Sequence, residues 1–211
     1  MQLTKNQLEE MLKKAADKII ASTEELTEID SKFGDADHGL TMTKISNTIK
    51  STADCPENTT IKSLLGNVAD RIMMINGGSA VPLWNTFFEG LKKGASDSDV
   101  ISETELKQMF KMGYDDLFIL SKAKIGDKTM MDTLIPAIEA IYHTDGTILD
   151  IMKAGAEAAE KGAENTKNFV AKFGRARSYK EQTIGTPDAG AVSMKYFFVG
   201  LYEGYKNLLN N

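Results

Sequence analysis

Apolar residues recur at helical spacing along nearly the whole chain, and no segment of useful length alternates with period two, so the pattern predicts an all-α protein. Thr4 and Gln7 form a capping box ahead of a face made by Leu8, Met11, Leu12, Ala15 and Ile19. A second helix is predicted from about Gly39 through Met42, Ile45 and Ile49. The third is the most regular, with Ile61, Leu64, Leu65, Val68 and Ile72 on one face. The fourth follows Gly77-Gly78, carries Pro82 in its first turn, where a missing N–H costs nothing, and turns Leu83, Trp84, Phe87, Phe88 and Leu91 inward. Ser102 and Glu105 cap the fifth reciprocally, Ile101 staples onto Leu106, and Met109, Phe110, Leu117 and Leu120 continue the stripe. A sixth is predicted over 129–142, bent at Pro136, and a seventh, alanine-rich, over 148–173. The eighth follows Pro187-Asp188 and carries Val192, Phe197, Val199, Leu201 and Leu208.

Composition narrows this picture only slightly. At 211 residues, without repeats or a long linker, the chain fits one large domain, residues 1–211. With 42% hydrophobic and 26% charged residues it falls in the ordinary globular range, which excludes a disordered class. No apolar run approaches the roughly 18 residues of a membrane helix. The opening MQLTKNQLEE lacks the apolar core of a signal peptide, so the expected location is cytoplasmic, with no membrane contact. A net charge of -5 argues against nucleic acid as a partner, and any phosphate ligand must be held by local dipoles and metal ions. Cys55, the single cysteine, excludes an intrachain disulfide and reads as a loop thiol without a catalytic partner. The eleven methionines fit an adaptable core, and His143 reads as structural.

Three sets of loops are richer in glycine and acid than a helix connection requires. In Asp30-Ser31-Lys32-Phe33-Gly34-Asp35-Ala36-Asp37-His38-Gly39, three carboxylates fall within eight residues, an unfavourable arrangement unless a cation compensates. Hard carboxylate oxygens suit magnesium shared with phosphate, and the spacing does not fit an EF-hand. The alternative is an acidic turn in which Asp37 caps the second helix. His38 beside the cluster is a candidate phosphate or water contact. In Asn76-Gly77-Gly78-Ser79-Ala80-Val81-Pro82, the paired glycines are either an ordinary turn or a place where backbone N–H groups and a helix start meet an anion. The third set is Gly126-Asp127-Lys128-Thr129-Met130, Phe173-Gly174-Arg175-Ala176 and Gly185-Thr186-Pro187-Asp188-Ala189-Gly190. There Met130 can pack on an adenine face, Arg175 can neutralise phosphate, and small residues at the last helix start allow close approach.

Taken together and in order, Gly34-Asp35-Ala36-Asp37-His38-Gly39-Leu40, Pro82-Leu83 with Thr86-Phe87-Phe88, Gly126-Asp127-Lys128-Thr129-Met130, Gly174-Arg175-Ala176, Ile184-Gly185 and Asp188 with Gly190 resemble the L subunit of dihydroxyacetone kinase. The resemblance spans nearly the whole chain. It implies a barrel of eight antiparallel helices with ADP or ATP at one end and two Mg2+ ions held by Asp30, Asp35 and Asp37. It also implies a nucleotide site made of His38, Gly39, Leu40, Thr41, Gly78, Ser79, Ala80, Ser121, Thr129, Met130, Arg175, Gly185, Asp188, Ala189 and Gly190. No residue is implied as an attacking nucleophile, because positioning and electrostatics suffice for phosphoryl transfer. The implied partners are a K subunit that binds dihydroxyacetone and a phosphorylated M subunit that recharges bound ADP. Oligomeric state stays open, a homodimer included.

The chain departs from the family pattern in places. Gly77-Gly78-Ser79-Ala80-Val81-Pro82 stands where Gly-Gly-Ala-Ser-Gly-Pro is usual, Glu181-Gln182-Thr183 where Glu-Arg-Ser is usual, and Asp188-Ala189-Gly190 where Asp-Pro-Gly is usual. These changes keep open a second reading: a nucleotide-dependent regulatory paralogue that signals to a transcription regulator without turnover of its own. The related nucleotide domain of fatty-acid kinases usually reads Gly-Asp-Thr-Gly-Thr-Asn in the metal loop, and Asp37-His38 favours the triose branch.

Overall fold

A computed structural model describes residues 2–210. The eight predicted helices correspond to α1 (Lys5–Ala21), α3 (His38–Ala53), α4 (Ile61–Met73), α5 (Ala80–Gly94), α6 (Glu103–Ser121), α7 (Met131–His143), α8 (Ile148–Asn165) and α9 (Ala189–Leu209). A ninth, α2 (Thr23–Ser31), is absent from the predicted elements; it buries only Leu26, and one apolar anchor makes no stripe. Among the described residues no helix is long and apolar enough to cross a membrane.

The eight long helices close into a ring, each packed against the helices before and after it, with α9 returning to α1. Cross-contacts run in opposite senses along adjacent helices. Lys13 pairs with Asp54 and Lys50 with Asp17 between α1 and α3, and Gly200 and Gly204 of α9 lie over Ala15 and Met11 of α1. The glycines at these seams, with Gly90 of α5 against Gly113 of α6, bring backbones close enough that a Cβ would meet the neighbouring main chain. Inside the ring, Trp84, Phe87, Phe88 and Phe197 pack edge-to-face and tilted at centroid distances of 5.2–6.5 Å.

Antiparallel order puts the N-termini of α1, α4, α6 and α8 at one end of the barrel and those of α3, α5, α7 and α9 at the other. At the first end all four carry reciprocal capping boxes: Thr4 with Gln7, Thr60 with Ser63, Ser102 with Glu105 and Thr147 with Asp150. That end is also tied by two short strands absent from the predicted elements, β1 (Gln2–Thr4) and β2 (Val100–Ser102), paired antiparallel with Leu3 opposite Ile101. Three residues are too few for an alternating pattern to register. At the second end, Asp37, Ser79 and Met130 precede α3, α5 and α7 without a side-chain cap bond, and only α9 is capped, by Asp188.

Other expectations shift in detail. Leu120 is exposed, and Leu83, Val199 and Leu208 are only partly buried. The predicted seventh helix stops at Asn165, not near 173, and residues 166–186 form a strap with two short 3-10 stretches, Thr166–Asn168 and Arg175–Thr183. The helix ends there because the Thr166 carbonyl is bonded by Lys128 and its hydroxyl accepts the Asp188 N–H.

Candidate functional site

The end formed by the starts of α3, α5, α7 and α9 opens into a cavity of about 690 Å³, within the range of small-molecule sites. Ile29, Leu83, Trp84, Met130 and Phe173 give it an apolar lining, and Asp30, Asp35, Asp37, Ser79, Thr129 and Asp188 a polar one. Four helix N-termini converge on it, and their partial positive charge favours an anion there, although Asp188 caps α9, Asp30 accepts the His38 N–H of α3 and the Thr129 hydroxyl accepts the Met131 N–H of α7.

The acidic loop between α2 and α3 is built around Asp30. Its Oδ2 accepts the N–H groups of Asp37 at 3.1 Å and His38 at 3.4 Å, and the Gly34 N–H donates to its carbonyl at 2.6 Å. Gly34 permits this fold-back, because a Cβ there would overlap the Asp30 carboxylate. Carboxylate oxygens of Asp30, Asp35 and Asp37 lie within 4.8 Å of one another. The Asp37 side chain does not cap α3, so the simple acidic-cap alternative does not describe this loop. Gly78 lies against it, so close that a Cβ at this position would stand 3.1 Å from Asp37 Oδ2, and the turn into α5 therefore abuts the acids. Arg175 from the strap forms an ion pair with Asp35, and Phe33 contacts Tyr179 at 5.1 Å.

His38 turns its ring toward α9, with Nε2 3.1 Å from Ser193 Oγ, and burial lowers its pKa while Asp30 opposes the shift. At the α7 start, Asp132 accepts the N–H groups of Gly126 at 2.5 Å and Thr129 at 2.7 Å; burial raises its pKa against those bonds. Burial pushes Asp188 up to about 7, although the Ala191 N–H bonds it at 2.8 Å and Lys128 also favours its charged form.

Of the residues the sequence singles out, His38, Thr41, Gly78, Ser79, Ala80 and Ser121 line the cavity, as do Thr129, Met130, Arg175, Asp188, Ala189 and Gly190. Three do not. Gly39 is buried under α2, where a Cβ would overlap Thr27; Leu40 points outward at 59% exposure; and Gly185 donates its N–H to Lys167 O at 2.7 Å on the strap. The sequence pattern assigns no role to Phe33, Lys128 or Asp132. Lys128 stands within a glycine-led loop motif, but a lysine between two polar neighbours carries no signal of burial.

Residues 32–203 match the DAK2 domain family. The chain is a member of the DAK2 family. Among its relatives, it is 31% identical over 199 residues to the ADP-binding subunit DhaL of the PEP-dependent dihydroxyacetone kinase of Escherichia coli (strain K12), covering 93% of this chain and 95% of that one. It is 30% identical over 174 residues to the corresponding subunit of kinase 2 of Listeria innocua, covering 80% of each. Against the L-erythrulose kinase of Pectobacterium atrosepticum it is 30% identical across 87% of this chain but only 32% of that longer protein. The DAK2 chain thus spans about a third of the longer kinases it matches. The dihydroxyacetone kinase of C. freundii shares its fold, with a TM-score of 0.70 at 22% identity for the native form and 0.70 at 23% for the complex with AMP-PNP and Mg2+, over 93% of this chain in both.

Proposed function

We propose that this DAK2 chain is the nucleotide-holding subunit of a dihydroxyacetone-type kinase, keeping ADP or ATP at the open end of its helical barrel. The observation that carries this reading is the meeting of the α3, α5 and α7 N-termini, none bonded by its own N-cap side chain, with three clustered carboxylates over one cavity. The relatives named as ADP-binding subunits, one of them matched along nearly its whole length, support it.

The donor set fits magnesium: three carboxylates supply hard oxygens close enough to share ions, and two divalent cations largely offset the about six negative charges of the acids and a nucleoside diphosphate. Asp30, Asp35 and Asp37 would hold the metal, which supplies charge neutralisation and Lewis acidity at phosphoryl oxygens when bound. Gly78, Ser79 and Ala80 present the start of α5 to the phosphates, and His38 and Thr41 the start of α3. Arg175, held by Asp35 in the free protein, is the cation on hand to meet phosphate. Met130, Leu83 and Phe173 offer apolar area to the base, while Ser121, Thr129 and the small residues Ala189 and Gly190 leave room for it. No side chain here has to attack; the chain binds, orients and excludes water around the phosphoryl group.

In this reading phosphate passes from a phosphorylated M-type carrier through the bound nucleotide to dihydroxyacetone on a K-type subunit. Calorimetry with ADP and Mg2+ tests the site, and Asp35→Ala should lower affinity at least about tenfold, as loss of a charged ligand does. Reconstitution with K and M chains tests the relay. The changed Ser79 to Val81 segment and the exposed Gln182 favour a second reading, a nucleotide-dependent regulator acting on a transcription factor. Turnover in the reconstituted system would rule that reading out.

A further inference from the structure

The strap 166–186 leaves the barrel at the end of α8, carries Phe173, Gly174, Arg175 and Ala176 to the cavity, and returns just before the α9 cap. Its two ends meet over one side chain. Lys128 is 4% exposed, and its Nζ donates at 2.5 Å to Thr166 O on the outgoing limb and at 2.5 Å to Thr186 O on the returning one. Three further contacts stitch the same neck. The Thr166 hydroxyl accepts the Asp188 N–H at 2.9 Å, the Thr183 hydroxyl accepts the Ala171 N–H at 3.0 Å, and the Gly185 N–H donates to Lys167 O at 2.7 Å. Each of these bonds is neutral. Lys128 adds a buried ammonium facing Asp188 and Asp132, costly unless its donors are satisfied, and the neighbouring Asp127 ties the strap from outside through an ion pair with exposed Lys172 at 2.7 Å.

The backbone at Lys128 reinforces the point. It is left-handed at φ 60, an unfavourable conformation for a residue with a side chain. Such a conformation persists only where the surroundings over-determine it. Here it lets one residue of the α6–α7 loop reach the strap while the neighbouring Thr129 N–H bonds Asp132 at 2.7 Å. Beyond the neck, the strap is held at its tip by the Arg175–Asp35 pair and the Phe33–Tyr179 contact, both at the acidic loop.

We infer that Lys128 is a positioning residue, a buried cationic clasp that closes the neck of the 166–186 strap and so fixes Arg175 and the α9 start over the nucleotide cavity. It acts through the main chain of the strap: although Lys128 borders the cavity, its Nζ is engaged by the Thr166 and Thr186 carbonyls. The inference rests on the nucleotide reading for its effect on affinity, but the clasp itself is a statement about the free protein. The tip region exposes Lys172, Arg175, Arg177 and Lys180, so trypsin reports directly on strap opening.

The test is Lys128→Met, which keeps the length and removes the donors, read by trypsin cleavage within the strap, melting temperature and MgADP titration. Loss of two charge-assisted bonds should speed strap cleavage by about tenfold or more and weaken MgADP by a similar factor, while the protein still melts cooperatively. Strap cleavage and affinity at wild-type levels would overturn the clasp, as would cleavage that rises only in step with global unfolding. If Lys128→Met speeds strap cleavage as described but wild type does not bind MgADP, the nucleotide reading fails and the clasp stands. If Lys128→Met does not fold, hydrogen exchange on the ligand-free wild type decides. Neck amides of Ala171, Gly185 and Asp188 must exchange more slowly than those of the tip at 174–180, and a neck that exchanges as fast as the tip overturns the inference.

Discussion

At the scale of single residues, the cavity end departs most from ordinary behaviour. Asp188 is held at about 7 against an ordinary 3.8, chiefly by burial. Between pH 4 and 7 the folded protein therefore keeps a proton that the unfolded chain has released. This contribution to stability is full below about pH 4 and is lost as pH rises through 7. Asp188→Asn keeps an acceptor for the Ala191 N–H and removes the titration. The ligand-free variant should melt with a flatter pH dependence over that window, where the remaining contributions of Asp132, whose pKa is raised, and His38, whose pKa is lowered, run in opposite senses. An unchanged slope would refute the assignment. Gly34→Ala should cost more function than stability: its Cβ overlaps the Asp30 carboxylate, so nucleotide affinity with Mg2+ should fall at least about tenfold while the helices stay intact. The carboxylate cluster itself is legible in the sequence, because three acids fall within eight residues around Gly34. The outward turn of Leu40 and the burial of Gly39 are not, since both depend on α2 lying across the start of α3.

At the scale of elements, caps explain most of what can be read and most of what cannot. Thr4, Ser102 and the apolar stripes after them identify α1 and α6 directly, and the regular spacing of Ile61 to Ile72 identifies α4. The strap reads as the end of a helix because alanine-rich periodicity runs to its edge, whereas the helix is stopped by Lys128, which lies far away in sequence. The same caps divide the barrel into a stable end and a binding end. Thr60→Ala should lower stability by about 1 kcal/mol and leave nucleotide affinity unchanged, checked by denaturant unfolding beside calorimetry. At the α1–α9 seam, Gly200→Val places side-chain atoms on the Ala15 backbone and should cost about 1–3 kcal/mol in the same unfolding assay.

At the scale of the whole molecule, a closed ring of antiparallel helices gives a simple division of labour. Reciprocal capping boxes gather at one mouth, and at the other three of four helices start without a bond from their own N-cap side chain, so a chain of net charge -5 can still offer one face to phosphate. The matched span runs from 32 to 203 and takes in the ring from α3 to most of α9, while this chain covers only 32% of a longer kinase it resembles. That proportion fits a nucleotide unit whose acceptor substrate lies on other protein mass, the arrangement proposed above. The most direct test of this account is calorimetric titration of ADP into wild type and Asp35→Ala, each with Mg2+ and with EDTA. The account predicts saturable binding by wild type only with Mg2+, weakened at least about tenfold by the substitution. Binding that is absent with Mg2+, or equal in all four titrations, would contradict it.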